Sequence, residues 1–102
     1  MYYILKEDKT YKLCNPEEWS EQFETINRRV GEDTVNNCFI STVWLGLDHN
    51  NFGRKPLVFE TMVFDEKNDD VYCERYTAWN EALEGHKKAV LWVLDGCKDE
   101  AR

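Results

Sequence analysis

The side chains best suited to chemistry lie in one polar segment between two apolar stretches, residues 41–48 and 57–65. A carboxylate beside an imidazole suits acid–base catalysis or metal binding. The alternative is a set of ordinary turn-forming residues, which are of the same types. We take as candidate binding residues of this segment Asp48, His49, Asn50, Asn51, Phe52 and Arg54.

Three more distant residues could complete a site with this segment. Glu60 is the charged residue in the apolar run LVFETMVF, Arg75 lies in a later strand pattern, and His86 lies among apolar residues of a helix. One hypothesis is therefore a small enzyme, or a pocket that sequesters a ligand, in which Asp48, His49, Glu60, Arg75 and His86 converge. An iron or zinc site from the two histidines and two carboxylates is the metal version. Nothing in the sequence brings them together, so we predict no metal site.

The environments of Glu60 and His86 remain open at this stage. If Glu60 faces the helices it is buried and needs a partner, which could be His86, Arg75, Arg28 or Arg29. If the other strand face points inward, Glu60 is solvated. For His86 we expect a buried ring whose two nitrogens are hydrogen-bonded.

No motif with an established mechanism is present. Ser41 is not on a glycine-flanked elbow, the five glycines do not form a phosphate-binding pattern, and the four cysteines contain no C-x-x-C pair. We therefore predict no catalytic residues and no cofactor. Because free cysteines are often buried, Cys14, Cys38 and Cys73 are predicted to lie in or beside strands as small core residues.

Alternating apolar and β-branched residues predict the strands. Residues 2–5 and 10–14 form a hairpin, and residues 38–47, 57–64 and 71–76 form a three-stranded meander. The loop 49–56 between the first two meander strands is long for a hairpin, and such loops often carry function.

Two amphipathic helices are predicted. The first begins at Asn15 and Pro16 and ends at Gly31, with Trp19, Phe23, Ile26 and Val30 as its apolar stripe and 32–37 as a polar connector. The second begins after Thr77 as its cap and ends at Gly96, with the stripe Trp79, Leu83, Val90 and Val93.

These elements predict a single α+β domain over residues 1–102, with a loose tail at 97–102. An antiparallel sheet of three to five strands would carry two helices packed on one face, in the order β(β)-α-β-β-β-α. Apolar strand residues on the other face would make a homodimer plausible.

The net charge of −7 argues against direct binding of nucleic acid, which needs a basic face. Acidic clusters in 17–24 and 65–70 could instead face a basic groove as nucleic acid would. No stretch resembles a signal peptide or a membrane span, so we expect a cytoplasmic protein with free thiols.

The strings STVWLGLDHN, LVFETMVF and CERYTAWNEALEGH resemble a group of small phage and prophage proteins of about this length, which has no assigned function. The resemblance extends from residue 1 to residue 93. It implies a phage-borne accessory protein that acts in the cytoplasm of the bacterial host. We therefore expect a non-catalytic protein that binds a bacterial protein or protein complex, for example to inhibit a host defence complex such as a CRISPR effector.

Overall fold

The computed structural model describes residues 1–49 and 53–97, and it has two helices and two antiparallel sheets. The α+β class is confirmed. The elements are, in chain order, β1 (Tyr2–Leu5), β2 (Tyr11–Cys14), α1 (Pro16–Thr25), β3 (Arg29–Val35), β4 (Cys38–Trp44), β5 (Phe59–Phe64), β6 (Asp70–Tyr76) and α2 (Trp79–Leu94).

The larger sheet has the strand order β3-β4-β5-β6, and α2 packs across one of its faces. Strand residues alternate between the two faces, and those beneath α2 are almost fully buried. They are Ile40, Thr42 and Trp44 on β4, and Phe59, Thr61 and Val63 on β5.

Small residues make the contact face of α2. Ala82, Gly85 and Ala89 are buried together with His86 and Val93, whereas Leu83 is 40% exposed. The prediction that Leu83 belongs to the core stripe is therefore wrong. The residues of lowest volume face the sheet because they allow the helix backbone to approach it closely.

The chain after α1 differs from the prediction. Asn15 does cap α1, and its side chain accepts from the Glu18 amide in a capping box. The helix ends ten residues later, however, and Gly31 lies inside β3 instead of capping the helix. The predicted connector 32–37 is also mostly strand, since β3 extends to Val35. Asn36 and Asn37 both have positive φ (50° and 65°) and form a two-residue hairpin turn that joins β3 to β4.

The smaller sheet is the pair β1–β2, and α1 packs against β1. Gln22 of α1 both donates to and accepts from the Leu5 backbone, at 2.8 Å in each case. The Trp19 indole donates to the carbonyl of Leu45, just beyond β4. The two helices thus cover different sheets, whereas the sequence pattern predicted both on one sheet. Among the described residues, no helix has the length and apolar character needed to span a bilayer.

Candidate functional site

Asp48 is a buried residue that holds the start of the loop. Its carboxylate accepts from the Arg54 guanidinium and from the backbone amide of Leu57, both at 2.8 Å. His49 beside it is exposed, with its ring edge-on to Tyr2 at 6.5 Å between centroids. The candidates Asn50, Asn51 and Phe52 lie outside the described residues. Asp48 and Arg54 thus form a pair that anchors the loop.

Glu60 pairs with Arg75 on the face of the sheet that α2 leaves uncovered. The Arg75 Nε donates to Glu60 Oε2 at 2.9 Å. Phe59, Thr61 and Val63 are the inward residues of β5, so the alternative in which Glu60 faces the helices is wrong. Glu60 has an arginine partner on the face where the sequence predicted a solvated residue. This hydrogen bond raises the pKa of Arg75. The Glu60 side chain is only 15% exposed, because the neighbouring strands shield it.

Cys73 lies beside this pair and is exposed, so its predicted core role is wrong. The thiol lies 3.5 Å from Glu60 Oε2. Partial burial of the thiol raises the pKa of Cys73, and the adjacent Glu60 carboxylate raises it further.

His86 is buried on the side of α2 that faces the larger sheet, and both of its ring nitrogens are hydrogen-bonded, as predicted. Nε2 lies 2.7 Å from Oδ2 of Asp33 on β3, and Nδ1 lies 2.7 Å from Oγ1 of Thr42 on β4. A pairing of His86 with Glu60 is ruled out, since His86 packs on the face of the sheet that α2 covers and Glu60 lies on the other face.

The contacts of His86 continue through the core. The hydroxyls of Thr42 and Thr61 lie 2.5 Å apart, and the Tyr76 hydroxyl donates to Thr61 at 3.1 Å. Five side chains, Asp33, His86, Thr42, Thr61 and Tyr76, thus form a continuous series of hydrogen bonds, which we call the hydrogen-bond chain. Burial raises the pKa of Tyr76 to about 12. Every buried side-chain polar atom among the described residues has a partner.

The sequence reasoning found His86 but missed the other members of the hydrogen-bond chain. Asp33 was hidden in a segment predicted to be a connector. Thr42 and Thr61 each occupy the central inward position of a strand, between buried apolar residues. Polar residues at the centre of two neighbouring apolar strands were the available signal, because buried hydroxyls need partners.

The order carboxylate, imidazole, hydroxyl resembles that of a nucleophilic triad, but the accessibility is reversed. In a triad the hydroxyl meets the substrate and the carboxylate is buried. Here the Thr42 hydroxyl is sealed, at 0% exposure, while the Asp33 side chain is 52% exposed. Gly31 contributes to the sealing, because a Cβ there would come within 2.9 Å of the His86 ring. The arrangement therefore does not support attack by Thr42 on a substrate.

Two surface depressions flank α2 at the ends of the hydrogen-bond chain. On the β6 side a cavity of about 620 Å³ includes Arg75, Tyr76, Gly85 and Lys88 in its lining. On the β3 side a cavity of about 420 Å³ is lined by Asp33, His86, Lys87, Val90 and Leu91. The hydrogen-bond chain therefore passes under the helix from one depression to the other.

The uncovered face of the larger sheet is a separate feature, which we call the open face. Its centre holds Met62, with Phe39 and Phe64 stacked at one end and the Glu60–Arg75 pair at the other. The Arg29–Glu32 ion pair borders it on the β3 side. In strand order, the open face comprises Arg29, Glu32, Thr34, Phe39, Ser41, Val43, Glu60, Met62, Phe64, Cys73 and Arg75.

The five residues of the hypothesised pocket do not converge. Asp48 bonds to Arg54, Glu60 bonds to Arg75, and His86 lies in the core on the other side of the sheet. Among the described residues, no group of three or more histidine, cysteine and acidic side chains could hold a metal ion. Comparisons with protein-family models, curated proteins and solved structures find no match to this chain.

Proposed function

We propose that this protein is a non-catalytic accessory factor of phage type, which binds a bacterial protein complex through the open face. A host defence complex that the protein inhibits is the target class that the phage-like strings suggest. The chemistry-bearing residues support a binding role over catalysis. Asp48, Glu60 and His86 are each engaged in contacts that hold the fold.

The open face is the observation that carries this proposal. A four-stranded sheet normally buries at least one face and can leave the other in water when that face is polar. Here the uncovered face includes a stacked pair of aromatic rings, Phe39 and Phe64, with Phe39 37% exposed. Met62 extends this apolar surface toward the centre of the sheet. Exposed apolar surface with a polar rim is typical of protein interaction sites.

The charges on and around the open face indicate what kind of surface the partner presents. The two arginines and two glutamates of the open face cancel, so the net charge of −7 lies elsewhere. The turn after Phe64 contributes acidic residues at the apolar end of the open face, in residues 65–70. A complementary partner is therefore a protein surface with an apolar centre and a basic border.

The second acidic cluster, in residues 17–24, lies at the opposite end of the larger sheet. Trp19 of α1 contacts Leu45, beyond one end of β4, whereas Phe64 pairs with Phe39 near the other end. Seven residues of strand separate these ends by roughly 20 Å. The turn 65–70 adjoins the apolar end of the open face and belongs to the proposed interface, while α1 supplies a matched control.

The test is affinity capture from the bacterial host with the full chain and four variants. F39S/F64S and D69K/D70K change the proposed interface, and L91S and E21K/E24K change exposed residues elsewhere by the same chemistry. We expect at least a tenfold loss of affinity for the captured complex in the first two variants only. Affinity of the wild type should also fall with added salt. Equal losses in the control variants, or none in any variant, would contradict the proposal.

Native mass spectrometry separates the hetero-complex from self-association. If the open face instead joins two copies of this chain, F39S/F64S converts a dimer to a monomer and no host protein co-purifies. That result would replace the proposal with a homodimer.

A further inference from the structure

The direction of every hydrogen bond in the hydrogen-bond chain follows from the contact between His86 and Asp33. A carboxylate accepts and cannot donate, so Nε2 of His86 carries a proton that points at Asp33. In a neutral imidazole Nδ1 is then an acceptor, and the Thr42 hydroxyl must donate to it. Thr42 has then used its proton, so the Thr61 hydroxyl donates to Thr42.

The last contact agrees with this assignment. Thr61 has also used its proton, so it can only accept from the Tyr76 hydroxyl. All four bonds therefore run in one direction, from Tyr76 to Asp33. Each threonine hydroxyl in the series has one proton and two partners, so neither threonine can change its role alone.

A second proton on His86 removes this arrangement. Nδ1 becomes a donor, so Thr42 must accept from it and donate to Thr61 instead. Thr61 then donates to the Tyr76 oxygen, and Tyr76 must find an acceptor outside the hydrogen-bond chain. Tyr76 lines the depression between β6 and α2, which can supply water or a ligand acceptor.

We propose that protonation of His86 reverses the hydrogen-bond chain and turns the Tyr76 hydroxyl into a donor toward the depression between β6 and α2. The charge of His86, on the β3 side of α2, thereby controls which ligand atoms the depression between β6 and α2 favours. Carbonyl, carboxylate or phosphate oxygens are favoured in the protonated state. This inference does not depend on the proposed function of the open face.

Charged groups face His86 from two elements. Asp33 faces it from β3, and Lys87 on α2 lines the same depression. β4 and β5 contribute the threonine hydroxyls of the chain, and β6 contributes Tyr76 through them. The Asp33 carboxylate is half-exposed, so a proton from solvent reaches the pair directly.

Nuclear magnetic resonance of protein labelled with ¹⁵N-histidine and ¹³Cζ-tyrosine tests the proposal. Neutral His86 should show the Nε2–H tautomer. On acidification, the Cζ signal of Tyr76 should shift with the same midpoint as the nitrogens of His86. Tyr11, whose hydroxyl bonds to the carbonyl of Thr77, is the internal reference and should not follow that midpoint.

Three variants identify the route. T61V keeps the shape but removes the central hydroxyl, and we expect His86 still to titrate while the Tyr76 response disappears. T61S restores the hydroxyl and should restore the response, and T34V, on the open face, should leave it unchanged.

Three results would overturn the inference: an Nδ1–H tautomer in neutral His86, a wild-type Tyr76 that ignores the titration, or a Tyr76 that still responds in T61V. The wild-type and T61S measurements decide the question if T61V does not fold.

Discussion

The phenol ring of Tyr76 packs directly against the backbone of α2 at Gly85. A Cβ at residue 85 would overlap the Tyr76 ring and hydroxyl, so the two positions are sterically coupled. This contact sets how closely α2 approaches the sheet at that point. It also places the Tyr76 hydroxyl within reach of Thr61.

We predict that G85A destabilises the protein by about 1–3 kcal/mol, the usual cost of overpacking a core. The measurement is urea unfolding followed by circular dichroism. In a Y76A background the overlap is absent, and G85A should stabilise by up to about 1 kcal/mol because alanine favours helix over glycine. Additive effects in the double variant would contradict the steric coupling.

Tyr76 should make stability depend on alkaline pH. Its pKa is raised to about 12 from 10.0 by burial, so above pH 10 the unfolded chain loses the phenol proton before the folded protein does. The stabilisation is complete below pH 10 and is lost as the pH rises to 12. This stabilisation amounts to about 2 kcal/mol. It is less than the free energy that corresponds to the whole rise in pKa from 10.0 to about 12, since the ring is partly solvated.

The measurement compares the unfolding free energy of wild type and Y76F between pH 8 and pH 12. The difference between the two proteins should change over about pH 10–12 and be constant below about pH 9. A constant difference throughout would contradict the raised pKa of Tyr76.

Asp48 is expected to be structural. D48A leaves the Leu57 amide without its acceptor and removes the carboxylate that pairs with Arg54, and we expect a loss of about 1–3 kcal/mol. R54A should cost less than about 1 kcal/mol, because the Arg54 side chain is 41% exposed and the Leu57 amide keeps its acceptor. Chemical denaturation measures both, and a larger loss in R54A would reverse the assignment.

Cys73 should react slowly with disulfide reagents although it is exposed, because its raised pKa lowers the thiolate fraction at neutral pH. E60Q removes the neighbouring negative charge and should speed the reaction several-fold. Peptide mapping after labelling isolates Cys73 from the other thiols. E32Q, on the same face but at the opposite edge, is the control and should leave the rate unchanged.

Local patterns in the sequence determined several features directly. Asn15 followed by Pro16 specified where α1 begins, since capping depends on neighbouring residues alone. The apolar run of β5 and the alternation in β6 specified those strands, and a histidine among apolar helix residues specified a buried His86. These depend on contacts within a few residues along the chain.

The tertiary structure alone decided which sheet face is covered and which partners the polar residues find. Both faces of β5 carry large apolar residues, so alternation could not place Glu60. β3 is an edge strand with an exposed, charged pattern, and only its pairing with β4 identifies it as a strand. The hydrogen-bond chain joins residues from five elements, and such long-range geometry has no local signature. Even the buried side of α2 follows from shape, because Gly85 admits Tyr76 where a larger residue would not.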